Sequence, residues 1–205
     1  MNVDGQAYRT IWLDADGESV WIIDQARLPH EFVTLQLTSV ENAAEAIRSM
    51  QVRGAPLIGA TAAYGLCLQL REDASDAAIA RASELLASTR PTAINLKWAL
   101  DEMEAELKLH PPEQRVAIGY QKAGEIADDD VESCRKIGEN GVGFIGQAFE
   151  KAGGREPVQI LTHCNAGWLA TVDWGMALSP IYTTHDRGLP VHVWVDETRP
   201  ATGLP

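Results

Sequence analysis

Residues 158–167 read VQILTHCNAG, an aliphatic run that stops at Thr162, His163 and Cys164 before the chain bends through Asn165, Ala166 and Gly167. A thiol at that point is well placed for chemistry, because ligands of open α/β sheets sit beyond the carboxyl ends of the strands. A helix starting after Gly167 would favour the thiolate and offer free N–H groups to a phosphate. Ala166 and Gly167 would let a ligand come close to the backbone. Position alone also allows a second reading of Cys164, as a small buried hydrophobe.

Two arginines stand at element junctions beside proline-bearing turns: Arg53 in VRGAP and Arg90 in STRPT. A guanidinium next to Gly54 and Ala55 makes a plausible phosphate cradle, since glycine permits close approach and arginine grips oxyanions with two donors. Taken singly, each arginine also reads as a solvated surface group. His163 neighbours the thiol, but adjacent strand residues point to opposite faces, which disfavours a Cys–His pair. Cys67 and Cys134 lie in apolar helix patterns and read as packing residues. Asp173 and Trp174 fall in an expected helix, and His185 and His192 are expected to be structural. No Walker, GxSxG or HExxH signature occurs.

Periodicity and punctuation give the elements that must position these groups. Apolar runs flank DADGES, a hairpin signal, and FVTLQL continues a small antiparallel sheet. Ser39 can cap a helix in which Val40, Ala43, Ala44 and Ile47 recur at helical spacing. Further helices are expected over 56–70, with Pro56 in the first turn, over 76–88, and from Thr92 or Asn95 to Lys108. Another is expected over 113–127. Asp128, Asp129 and Asp130 are expected to cap the next, which ends at Gly153–Gly154.

In the last third, a strand ending at Cys164, a helix over 168–188 with Pro180 as a kink, and a strand over 189–200 predict a parallel, right-handed βαβ unit. Asp196, Glu197, Thr198 and Arg199 would then share the cleft of Cys164. The expected fold is α/β. An N-terminal domain of small antiparallel sheet plus helices spans 1–125. A linking helix and the first βαβ unit of a Rossmann-like parallel domain span 126–205. One βαβ unit cannot close such a sheet, so an exposed apolar edge and face are expected.

The composition is that of a globular protein, with 45% hydrophobic and 22% charged residues. A net charge of -12 argues against nucleic acid and anionic membrane surfaces. An anionic small substrate would need local cations against that field. Three scattered cysteines without a CxxC pair argue against a disulfide framework or a zinc site and fit a reducing cytoplasm. Neither a signal peptide nor a transmembrane run is read in the sequence.

VRGAPLIG, STRPTAINL, ILTHCNAG and VHVWVDETRP occur in that order, and together they resemble the methylthioribose-1-phosphate isomerase family. The likeness runs from the first hairpin to Pro200. The wider family includes ribose-1,5-bisphosphate isomerases and non-catalytic regulatory subunits of a translation-initiation exchange factor. The resemblance implies a cofactor-free, metal-free aldose–ketose isomerisation of a phosphorylated pentose. The anomeric phosphate blocks simple opening to an aldehyde. A cysteine and an aspartate in a water-poor site are thought to open the ring and move a proton between C2 and C1, or to direct a hydride.

On the resemblance, Cys164 is the catalytic cysteine, and Arg53, Gly54, Ala55 and Arg90 bind phosphate and sugar, with Asn165, Ala166 and Gly167 alongside. The family continues beyond DETRP, and its catalytic aspartate and a later Asn-Lys pair belong to that part, so no residue here is given those roles. A homodimer at full length is implied. The alternatives are a sugar-phosphate-binding regulatory relative without catalysis, and an isomerase of 5-deoxyribose 1-phosphate or ribose 1,5-bisphosphate.

Overall fold

A computed structural model describes residues 1–196; the expected places of Glu197, Thr198 and Arg199 lie outside the described residues. The chain opens with a ribbon of β1 (Asn2–Val3) and β2 (Gln6–Ala7). A three-stranded antiparallel sheet follows, in the order β3 (Ile11–Leu13), β4 (Val20–Ile23) and β5 (Thr34–Leu37). The DADGES hairpin forms as expected. The Ser19 hydroxyl, then the backbone N–H groups of Ser19 and Glu18, hold the Asp16 carboxyl down at about 2. One sheet face buries Ile11, Val20, Ile22 and Leu37. On the other, the cross-strand pair Trp12 and Trp21 stacks at 6.4 Å between ring centroids.

Five helices enclose the core behind this sheet. α1 (Val40–Arg48) is capped by Ser39, whose hydroxyl accepts from the Asn42 N–H. α2 (Ala55–Glu72) is buried on nearly all sides, which its alanines and glycines permit. α3 (Asp76–Thr89) is capped by Ser75, and α4 (Ile94–Leu107) packs beside α2. α5 spans Pro112–Lys151 without a break. One core cluster unites these helices, from Ile11 to Val172.

The unbroken α5 corrects the expected cap at Asp128–Asp130, because those residues lie in its middle. Aspartate disfavours helix interiors when its side chain competes for local backbone donors. Here the donors come from elsewhere. Asp128 pairs with Arg9 at 2.6 Å, and Asp130 accepts from the Val172 N–H at 2.7 Å. The chain therefore passes residues 125 and 126 inside a helix. Tyr120, Ala123, Ile126 and Ala127 in its first half join the core. Its second half carries α6 (Ser179–Asp186), where the Ser179 hydroxyl donates to Cys134 O at 2.7 Å. A Cβ at Gly138 would collide with the hydroxyls of Ser179 and Thr183, so the two helices meet at that residue.

β6 (Val158–His163) and β7 (Val191–Asp196) pair in parallel, Ile160 against Val193 and Leu161 against Trp194. The expected helix over 168–188 is corrected. The segment holds a single 3-10 turn, Trp168–Ala170, then a loop, then α6, with Pro180 in the first turn of α6 rather than at a kink. The loop closes on itself: Gly175 N–H donates to the Thr171 hydroxyl, and Gly175, at φ 85°, abuts Gly167. Asp173 and Trp174 are thus loop residues, and Asp173 takes the N-terminal ammonium at 2.8 Å. His185 and His192 are exposed on α6 and β7. The outer face of the parallel pair is open, with Leu161 68% and Trp194 58% exposed. No helix among the described residues is long and apolar enough to cross a membrane.

Candidate active site

Cys164 lies one residue past β6 and is exposed, which excludes the buried-hydrophobe reading. Its φ of 71° places an L-residue in the left-handed region, at a cost of roughly 1–2 kcal/mol. The chain turns at the thiol itself. The other two cysteines are sealed. Burial pushes the Cys134 thiol up to about 11 and the Cys67 thiol higher still. The expected helix N-terminus behind Cys164 is absent, since α6 begins only at Ser179. Only the three-residue turn Trp168–Ala170 follows the thiol, too short to activate it through a helix dipole. His163 faces the Asp196 carboxylate across the strand pair, Nδ1 to Oδ2 3.4 Å, with both groups exposed.

After Cys164 the chain passes through Asn165 and Ala166, both half-buried, to the buried Gly167. Ala166 O accepts from the Ala177 N–H at 3.0 Å, and Gly167 O from the Ala170 N–H at 3.1 Å. These bonds fold the segment on itself and bring Ala170 to the helical body. There it meets the arginine turn. Gly54, at φ 98°, sits so close to Ala170 that an added Cβ would overlap that residue's backbone. Glycine is required at position 54 on both counts.

Gln25 ties the same seam. Its Nε2 donates to Leu169 O at 2.7 Å, and its Oε1 accepts from Arg53 Nε at 3.2 Å. Thr10 adds a second tie, accepted by Thr171 O at 2.5 Å, while its backbone N–H reaches Val172 O at 3.0 Å. Asp130 fixes Val172 from α5. Burial, outweighing the Val172 N–H bond, raises the Asp130 carboxyl above the usual range.

Arg53 is half-buried, and burial pulls its guanidinium below its ordinary value. Ala55 is the first residue of α2, and neither the Gly54 end of α2 nor the Ala93 end of α4 carries a side-chain cap or an acidic residue in its first turn. The two ends are neighbours, because a Cβ at Gly59 would lie 3.0 Å from Asn95 O. Arg90 closes α3 just before α4, half-buried, with its carbonyl accepting from the Ala93 N–H at 2.9 Å. Arg53 and Arg90 thus flank two uncapped helix N-termini, a combination suited to an oxyanion. Among the described residues no group of three or more His, Cys, Asp or Glu is placed to hold a metal ion.

Sequence reasoning missed Gln25 and the fastening roles of Thr10 and Asp130. Their partners are distant in sequence: Gln25 reaches 28 residues to Arg53 and 144 to Leu169, Thr10 reaches 161 to Thr171, and Asp130 reaches 42 to Val172, so no local signal marks them.

Comparison with known proteins gives the family and the fold of the chain. The family model of the initiation factor 2 subunit family matches residues 51–203, which include Arg53, Arg90 and Cys164. Methylthioribose-1-phosphate isomerase of Methylorubrum extorquens is 60% identical over 200 residues, covering 98% of this chain and 54% of that protein. The enzyme of the same name from Escherichia coli O45:K1 is 56% identical over 200 residues, with the same coverage. The chain spans about half the length of these curated relatives. Among solved structures, 5-methylthioribose 1-phosphate isomerase from Pyrococcus horikoshii matches with a TM-score of 0.81 at 37% identity, over 96% of this chain and 55% of that one. Translation initiation factor eIF-2B subunit delta from A. fulgidus matches with a TM-score of 0.79 at 35% identity, over 94% and 55%. The fold is the mixed α/β fold of these proteins, and the chain belongs to the initiation factor 2 subunit family.

Proposed function

We propose that this chain supplies the thiol and the two arginine turns of an aldose–ketose isomerase that converts methylthioribose 1-phosphate to methylthioribulose 1-phosphate. The observation that carries the reading is the seam between Gly54 and Ala170, which binds the Arg53 turn to the segment that begins at Cys164. Likeness to isomerases at 60% identity supports the choice of substrate.

Arg53, the free N–H groups at Gly54 and Ala55, and Arg90 hold the phosphate and hydroxyls. Asn165, Ala166 and Gly167 line the approach to the thiol. Cys164 gives or takes a proton as the ring C1–O bond breaks and the hydrogen of C2 passes to C1, so that C2 becomes the ketone and C1 keeps its phosphate ester. No electron leaves the sugar, so no cofactor is needed. Its partner acid is the aspartate that the family resemblance implies.

In this reading residues 1–125 form the arginine-bearing domain. Residues 126–205 begin a Rossmann-like domain whose parallel sheet gains further strands on the open side of β6 and β7. The working enzyme is a cytoplasmic homodimer. Isomerase assays on the protein carried to the length of its relatives test the reading. Cys164→Ser lowers kcat about 100-fold or more, the scale of a lost acid–base group. Near wild-type turnover in that variant removes Cys164 from the chemistry.

A second reading, a regulatory subunit that binds the sugar phosphate without turning it over, is favoured by the similarly close match to the initiation-factor subunit. Calorimetry separates the two: binding without conversion supports the regulatory role. An isomerase of a related pentose phosphate would reveal itself by faster turnover of ribose 1,5-bisphosphate or 5-deoxyribose 1-phosphate.

A further inference from the structure

Arg53 is only as useful as its orientation, and one buried side chain sets it. Gln25 follows β4 in the turn that leads to β5 and is 1% exposed. Its backbone N–H is held by Gln51 O at 2.9 Å, which fixes the residue beside the segment that enters the arginine turn. Both ends of its amide are used. Oε1 accepts from Arg53 Nε at 3.2 Å, and Nε2 donates to Leu169 O at 2.7 Å. The two bonds require opposite polarity. Flipping the amide would set donor against donor at Arg53 and acceptor against acceptor at Leu169. Only a residue with one acceptor and one donor at this reach satisfies both. Because the Nε–H is spent on Gln25, the guanidinium is pinned by its inner edge, and its two terminal nitrogens remain the edge for an oxyanion.

We propose that Gln25 is a positioning residue of the site. It aims the Arg53 guanidinium and couples that aim to the segment descending from Cys164. The inference rests on the proposed role of Arg53 in holding the substrate phosphate. Gln25 touches no substrate; it acts through Arg53 and Leu169. A neutral amide also matters electrostatically, since it orients the cation without cancelling its charge. Glutamate at this position would keep the acceptor toward Arg53 but lose the donor toward Leu169, and it would neutralise the guanidinium.

The test uses Gln25→Leu, Gln25→Glu and Arg53→Lys in the protein carried to the length of its relatives. Steady-state kinetics with methylthioribose 1-phosphate are read together with the Tm and the Arg53 Nε–H resonance. A contact that holds the phosphate equally in ground and transition states raises KM and spares kcat. Gln25→Leu is expected to raise KM about tenfold, the scale of one hydrogen bond to a charged group. Gln25→Glu raises it further, because it removes the cation's net charge from the anion site. In both, hydrogen exchange at Arg53 Nε speeds up or its resonance moves.

A merely structural amide would lower the Tm of Gln25→Leu and leave KM unchanged in both variants, and that result overturns the proposal. So does an unaltered Arg53 Nε–H signal. If Arg53→Lys itself turns over with wild-type KM, the reading of Arg53 as a phosphate ligand falls, and the inference falls with it. If Arg53→Lys is impaired while both Gln25 variants behave as wild type, only the role of Gln25 is refuted.

Discussion

The helical body and the parallel strand pair bury their apolar residues in opposite ways. In the body, Leu57, Leu66, Leu86 and Met103 are wholly enclosed by α1–α5 and the antiparallel sheet. At the strand pair, Leu161 and Trp194 stand opposite each other on a face open to solvent, and Val195 is 67% exposed. In the first region each helix buries apolar residues against its neighbours in one shared core. The second presents a surface that a further layer would normally cover. The candidate site lies on the seam between them. In the proposed site the body supplies the arginines and the strand end the thiol; the segment over 165–172 is fastened to the body through Ala170, Leu169 and Val172.

If that contrast is right, substitutions in the body and at the seam cost stability, and substitutions on the open face do not. Gly54→Ala has the largest expected effect. It combines a φ of 98° with overlap of the Ala170 backbone. The sum of strain and overpacking is about 3 kcal/mol or more by urea unfolding. A loss below 1 kcal/mol would mean that the seam is loose.

Gly138→Ala comes next. The new methyl would push against the Ser179 and Thr183 hydroxyls between α5 and α6, costing about 2 kcal/mol. Unlike Gly54→Ala, it should leave substrate affinity intact in the protein that survives.

Asp130 sharpens the comparison at the waist of α5. Asp130→Ala strands the Val172 N–H and costs about 1–2 kcal/mol, whereas Asp130→Asn keeps an acceptor and costs less. The pH dependence has a definite sign. The folded state raises this carboxyl, so it holds the proton more tightly folded than unfolded. Its contribution is complete below the ordinary carboxylate value, about pH 4, and is lost as pH rises through the raised value. Wild type therefore loses stability relative to Asp130→Asn over that window; an unchanged difference would contradict it.

The smallest effect belongs to the open face. Trp194→Thr and Leu161→Thr change unfolding free energy by no more than about 0.5 kcal/mol. They reduce self-association in sedimentation experiments. A loss of 2 kcal/mol would show that the face is buried after all.

Much of this was legible because it is local. DADGES between apolar runs specifies a hairpin, Ser39 caps α1, and VRGAP marks the turn into α2, each by bonds or backbone geometry within a few residues. The aliphatic run before Cys164 reads as a strand for the same reason. What escaped depends on distant partners. The aspartate run resembles a cap until Arg9 and Val172 supply its partners in mid-helix. WLATVDWGMAL has helical spacing, but Gly175 folding back on Gly167 and the Thr171 hydroxyl bond favour a loop. Gln25 carries no sequence signal because its meaning lies in residues 53 and 169.

The claim that one site unites Cys164 with the arginine turn is tested most directly by alkylating the thiol with iodoacetamide, with and without saturating methylthioribose 1-phosphate, in the protein carried to the length of its relatives. Of the cysteines of this chain, Cys164 should be the one that reacts in the native state, read by mass spectrometry of its peptide, because Cys67 and Cys134 are buried. The sugar phosphate should slow that reaction at least about tenfold, and Arg53→Lys should abolish the protection. Equal rates with and without the ligand, under conditions where calorimetry shows it bound, would place the thiol outside the site.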